Sequence, residues 1–118
     1  MIRAVLFNVS NGFIKDGGIE LVHEWSDRRE NILWLDCLEA STEEDQLLTE
    51  VFNFNSLEMT DATRSRHPPK IEFFSDHYLL LLRILGSSDI HENLEFGQLA
   101  IFLSKNYLIT RRLSLIHI

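Results

Sequence analysis

From Ile2 to Val9 apolar and polar positions alternate as in a half-buried strand, and Ser10-Asn11-Gly12 supplies the left-handed backbone a tight turn needs. Two strands are expected to meet there. Lys15-Asp16-Gly17-Gly18 is a second break, after which Ile19 to Val22 reads as another short strand running towards Trp25. Asn31 to Leu38 is almost continuously apolar apart from one buried-looking acid, Asp36, and reads as a central strand.

The pattern then changes period. Ser41-Thr42-Glu43-Glu44 is a capping box, in which the serine oxygen takes an orphan amide and Glu44 reaches back to the cap amide. Leu47, Leu48, Val51 and Phe52 follow as one helical stripe. A shorter helix is predicted over Ser56 to Arg64, and Pro68-Pro69 prevents its continuation. Beyond the prolines the chain returns to strands: Lys70 to Phe74, Tyr78 to Leu85, Leu94 to Leu103 and Tyr107 to about Leu113, the last two joined by Ser104-Lys105-Asn106.

Several of these strands are apolar on both faces. Tyr78, Leu80, Leu82 and Ile84 share one side, while Leu79, Leu81 and Leu85 share the other, interrupted by Arg83. Such strands belong to a sheet covered on both sides. The helix between Ser41 and Arg64 suffices for one face of six or seven strands. The expectation is therefore an α/β fold: a mixed sheet of six to seven strands, two helices inserted after the third or fourth strand, and a second covering layer not included in these residues. The apolar end, Leu113, Leu115, Ile116 and Ile118, favours a chain that continues.

Composition narrows the partners. The 118 residues suit one domain, and 45% hydrophobic with 25% charged content is ordinary for a folded one. A formal charge of -7 repels phosphate backbones and anionic membranes, so nucleic acid is not expected as a partner and cations are. A single cysteine, Cys37, precludes an internal disulfide and favours a reducing compartment. No stretch reaches the roughly 20 apolar residues of a membrane span, so the piece is expected to be soluble.

Catalytic motifs are absent: there is no GxSxG, Walker loop or GxGxxG. Cys37 lies in an apolar strand, where a thiol is a poor nucleophile, so a hydrolase built on Cys37, Asp36 and a histidine ranks last. His23, His67, His77, His91 and His117 lack zinc-ligand spacing. Glu58 and Asp61 fall three apart and share a helix face; the plain reading is a surface pair between Asp61 and Arg64, and the functional reading is a hard-cation site.

Residues 32 to 112 carry, in order, Trp34-Leu35-Asp36, Thr42-Glu43-Glu44, Glu50-Val51-Phe52, Leu57, Asp61, Pro69-Lys70-Ile71-Glu72, Tyr78-Leu79-Leu80-Leu81-Leu82 and Ile101-Phe102-Leu103-Ser104-Lys105-Asn106-Tyr107-Leu108-Ile109-Thr110. This ordered set resembles the cytoplasmic N-terminal domain of CorA-type magnesium transporters. The sequence departs from that pattern at Asn53-Phe54-Asn55-Ser56, at Thr60 before Asp61, and at His67-Pro68 before Pro69-Lys70, which marks a divergent branch.

The resemblance implies that residues 1 to 118 form an α/β/α regulatory domain at the cytoplasmic face of the cell membrane, in a homopentameric Mg²⁺/Co²⁺ transporter. It places the second helical layer, the stalk, the membrane helices and the Gly-Met-Asn pore motif after Ile118. It also implies that Asp61 helps bind regulatory Mg²⁺ against a stalk carboxylate, with occupancy favouring the closed pore. ZntB-like zinc transporters share this architecture, and a stand-alone protein-interaction module is the alternative from a different class.

Overall fold

The computed structural model describes residues 1–64, 67–87, 94–112 and 116–117. His91, Leu113, Leu115 and Ile118 lie outside them. Strands β1 (Ile2–Phe7) and β2 (Ile14–Gly17) form the expected hairpin, with Gly12 at φ 76° in its turn, although Lys15-Asp16-Gly17, read from the sequence as a break, lie within β2 and pair with β1. β3 (Ile32–Leu38) pairs with β1 antiparallel and with β7 (Tyr107–Arg112) parallel. β4 (Lys70–Phe73), β5 (His77–Ser87) and β6 (Leu94–Ser104) complete an antiparallel run ending on β7. The strand order is β2-β1-β3-β7-β6-β5-β4, and a two-residue strand, β8 (Ile116–His117), also pairs with β6. One parallel pair makes the sheet mixed, as expected, and β3 is interior.

The segment after Gly18 differs from the sequence reading. Instead of a strand over Ile19 to Val22, the chain forms helix α1 (Glu20–Asp27). Leu21, Val22 and Trp25, at i, i+1 and i+4, are its buried residues, and that spacing fits a helix better than a strand. The four-residue window around Val22 was too short to separate the two periods, and Trp25 supplies the missing turn. The two helices expected between Ser41 and Arg64 are present, and α1 adds a third among the described residues.

Helices α2 (Thr42–Phe52) and α3 (Ser56–Thr63) follow β3. In the predicted capping box, the Glu44 amide donates to Ser41 Oγ at 3.1 Å and the Ser41 amide donates to Glu44 Oε1 at 2.9 Å. Asn53 ends α2 in the left-handed region at φ 56°, a conformation asparagine tolerates.

All three helices contribute to one core on one face of the sheet. Leu33, Leu35, Leu79, Leu81, Phe102 and Ile109 from the strands, with Val22 and Leu48 from the helices, have essentially no exposed surface. An aromatic chain crosses this layer: Trp25 on Phe52 at 5.1 Å, Phe52 on Phe54 at 5.7 Å and Phe54 on Phe102 at 4.2 Å between centroids.

The opposite face is apolar and open. Trp34 (48% exposed), Phe73 (62%), Tyr78, Leu82 and Leu103 lie on it, with Phe73 and Tyr78 in contact across the β4–β5 pair. Monomeric soluble proteins rarely leave so broad an apolar patch uncovered. A polar cluster sits within it, in which Asp36 accepts from Arg112 Nη2 at 2.8 Å and from Thr110 Oγ1 at 3.0 Å. Asp36 is thus half-buried and ion-paired.

Candidate functional site

The carboxylates on α3 separate. Asn55 caps this helix: its Oδ1 accepts from the Glu58 amide at 2.7 Å, and Glu58 Oε2 accepts from the Asn55 amide at 3.3 Å. That second capping box turns Glu58 inward, to 1% exposure, where Oε1 meets His77 Nε2. His77 Nδ1 lies 2.7 Å from Asp76 Oδ1, and the ring sits between Phe54 and Phe74. Glu58 is therefore part of a buried clamp between α3 and the start of β5, not an exposed ligand beside Asp61.

Asp61, one turn later, faces the edge strand β4. Lys70 Nζ donates to Asp61 Oδ2 at 2.7 Å and to Glu72 Oε1 at 3.1 Å, while His67 Nε2 lies 3.4 Å from Asp61 Oδ1. The sequence reading paired Asp61 with Arg64; the ion-pair partners are Lys70 and His67, and Arg64 is exposed and contributes only a longer-range attraction. Topology is the reason. Lys70 and Glu72 stand opposite Leu81 and Leu79, so both project to the helix-covered side of the sheet, directly beside α3.

The Lys70 hydrogen bond holds the Asp61 carboxyl below its ordinary range, with burial acting the other way. The same bond holds the Lys70 ammonium above its ordinary range.

The carbonyl end of α3 is tied to the sheet. Gln98 Nε2 donates to the Asp61 and Ala62 carbonyls at 3.3 and 3.2 Å, and Gln98 Oε1 accepts from the His67 amide at 3.1 Å. Arg111 Nη1 adds a bond to the Ala62 carbonyl at 3.4 Å, and its Nε and Nη2 engage Asp45 of α2 at 2.9 and 2.8 Å. Helix ends leave carbonyls without intrahelical partners, and here buried side chains from β6 and β7 supply them. Asp61 thus sits on a helix clamped at both ends.

Sequence reasoning singled out Asp61 and did not foresee Lys70, His67, Glu72 and Gln98 around it. The only signal pointing to Lys70 was its place in Pro69-Lys70-Ile71-Glu72. Gln98 and Arg111 carried no signal, since a lone polar residue in an apolar strand says nothing of what it faces.

Elsewhere, a cleft of about 400 Å³ between the β1–β2 hairpin and α1 is lined by Asn8, Phe13, Lys15, Glu24, Arg28 and Asn31. It lies at the opposite end of the strand order from β4. Cys37 has no exposed surface, and burial pushes its thiol up to about 12. That removes the nucleophile from the hydrolase reading. Among the described residues no group of three or more His, Cys, Asp or Glu side chains is placed to hold a metal, and no helix is long and apolar enough to cross a membrane.

The family model described as CorA-like Mg2+ transporter protein matches residues 29–117. No curated protein matches the sequence. Solved structures do. The soluble domain of CorA from Methanocaldococcus jannaschii aligns with 97% of this chain and 40% of its own, at 21% identity and a TM-score of 0.68. The complete CorA magnesium transporter from the same organism aligns with 97% of this chain and 32% of its own, at 18% identity and a TM-score of 0.71. The full-length CmaX protein aligns over 97% and 35%, at 16% identity and a TM-score of 0.71. At these identities the likeness is one of fold. The chain spans between a third and two-fifths of the length of these proteins.

Proposed function

Because the chain belongs to the CorA-like Mg²⁺ transporter family, we propose that it is the cytoplasmic domain through which a homopentameric transporter of Mg²⁺ or Co²⁺ senses the internal divalent cation and gates its pore. The observation that carries this reading is the family match over a sheet with one face packed by helices and the other apolar and bare. A bare face of this kind suits a layer of helices contributed by the rest of a longer chain, whose separate membrane helices, not these residues, would span the membrane.

Within this reading Asp61 is the residue at which the regulatory Mg²⁺ acts. The donors present here do not by themselves fit that ion. Mg²⁺ takes one or two carboxylates and keeps several waters, yet the Asp61 carboxylate already faces Lys70 and His67. A second carboxylate from outside these residues completes the proposed site.

What this chain's own residues do is hold Asp61 in place. Glu58–His77 anchors one end of α3, and Gln98 and Arg111 anchor the other. A force on Asp61 therefore moves α3 together with the sheet instead of unwinding the helix. In a gating domain, that rigidity carries a local electrostatic change to the face that meets the remainder of the transporter.

The test is the protein encoded by the uninterrupted reading frame, reconstituted in liposomes with an internal Mg²⁺ indicator and digested in parallel with and without Mg²⁺. Uptake of Mg²⁺, and Mg²⁺-dependent protection from protease that weakens in Asp61→Asn, are expected. A frame that ends without membrane spans, or protection unchanged in Asp61→Asn, overturns the reading.

A further inference from the structure

In this chain the cation at Asp61 is supplied from within. We infer that Lys70 is the standing counter-cation of Asp61, and that while its ammonium is in place Asp61 does not respond to divalent cations unless a carboxylate from outside these residues joins the site. The inference rests on the proposed role of Asp61 and adds a regulator of that site.

Both ends of the contact are fixed by backbone. Asp61 is on a helix whose last carbonyls are held by Gln98 and Arg111. Lys70 opens β4, directly after Pro68-Pro69, and is held in register opposite Leu81. Proline fixes its own φ and restricts the residue before it, so the approach to Lys70 is stiff. Only the lysine stem is free to move, and its Nζ reaches two carboxylates at once, Asp61 at 2.7 Å and Glu72 at 3.1 Å.

Charge shows why a metal ion is disfavoured. Asp61 and Glu72 together carry two negative charges, and Lys70 cancels one. A divalent cation approaching Asp61 meets that ammonium within a few ångströms and finds only one net negative charge. It must also part with tightly held water, which Mg²⁺ does reluctantly. Asp61 is only slightly exposed, so solvent screens the ammonium less than it would on an open surface. The lowered Asp61 and raised Lys70 proton affinities agree with a pair that stabilises both charged forms.

The experiment is a Mg²⁺ titration of the 118-residue chain by calorimetry and by ¹H–¹⁵N spectra of α3 and β4, on the wild type and on Lys70→Met, Lys70→Arg and Lys70→Met with Asp61→Asn. The wild type and Lys70→Arg are expected to show no Asp61-dependent response up to millimolar Mg²⁺. Lys70→Met is expected to bind at least tenfold more tightly, with the gain lost when Asp61→Asn is added. Lys70→Gln, which keeps a polar side chain without the charge, replaces the methionine variant if that one does not fold.

A wild-type chain that already binds Mg²⁺ through Asp61, or a charge-free variant as silent as the wild type, overturns the inference. The first result would leave the proposed regulatory role of Asp61 standing. Conversely, a tenfold gain in Lys70→Met combined with unaltered protease protection in full-length Asp61→Asn would uphold the counter-cation and remove the regulatory role.

Discussion

Replacing Asp45 with alanine leaves the Arg111 guanidinium stranded. Arg111 is 4% exposed, and Asp45 takes two of its N–H groups at 2.8 and 2.9 Å; it also donates to the Ala62 carbonyl at 3.4 Å. Removing one member of a buried ion pair costs about 3–5 kcal/mol, mostly because the other charge stays buried without a partner. Asp45 is itself 19% exposed, so water can enter where its carboxylate was, and the lower end, about 3 kcal/mol, applies. For a domain of 118 residues the unfolding entropy is about 0.25 kcal/mol/K, so each kcal/mol lowers Tm by about 4 °C. Asp45→Ala should therefore lower Tm by about 12 °C in thermal unfolding followed by circular dichroism. Asp45→Asn, which accepts only one of the two bonds, should lose about half as much. The paired change Asp45→Leu with Arg111→Met removes both charges and should fall within about 1 kcal/mol of wild type, the remainder being the lost bond to Ala62. A drop below about 4 °C for Asp45→Ala, or a double variant as unstable as the single one, would refute this account of how α2 is fastened to β7.

Three further outcomes are expected. Lys70 depresses the Asp61 carboxyl below its ordinary 3.8, so the pair stabilises the fold fully above about pH 4 and loses that contribution as pH falls through the lower folded value; urea unfolding across pH 2 to 6 should show a shallower acid limb in Lys70→Met than in wild type. Cys37 should react with an aromatic disulfide reagent at pH 8 only on unfolding, because its thiol is buried and held near 12; stoichiometric labelling of the native chain within minutes would contradict the placement of β3. Trp34→Ser with Phe73→Ser should reduce binding of a hydrophobic dye by half or more while changing stability by under about 1 kcal/mol, since about half or more of each residue is exposed, and undiminished dye binding would argue against the open sheet face as the apolar patch.

Most of the strands and the helices α2 and α3 are legible because each carries its own period. Ser41-Thr42-Glu43-Glu44 announces a helix start through local hydrogen bonding alone, and the double-sided apolar run of β5 requires cover on both faces wherever it sits. Helix α1 was misread for the opposite reason: Ile19 to Val22 is too short to distinguish a period of 2 from 3.6, and the turn that decides it, at Trp25, was read as a separate landmark. Around Asp61 the sequence offered Arg64, three residues away on the same helix, as the natural partner. The fold chose Lys70 instead, nine residues on, because β4 returns along the flank of α3.

By itself, then, the order of residues determined most of the strands and the helices α2 and α3, that one sheet face is sought by a layer of helices and the other also demands cover, and that Asp61 lies on a short helix ahead of a proline break. These follow from interactions within a few residues or from the alternation of side chains along a strand. Only the tertiary structure decided which charges meet. Glu58 was drawn inward to His77, Asp45 to Arg111 and Asp61 to Lys70, each across a contact between separate elements. Pairing strength depends on distances of about 3 Å and on how much water remains between the groups, and neither quantity exists until the sheet has fixed its strand order and register.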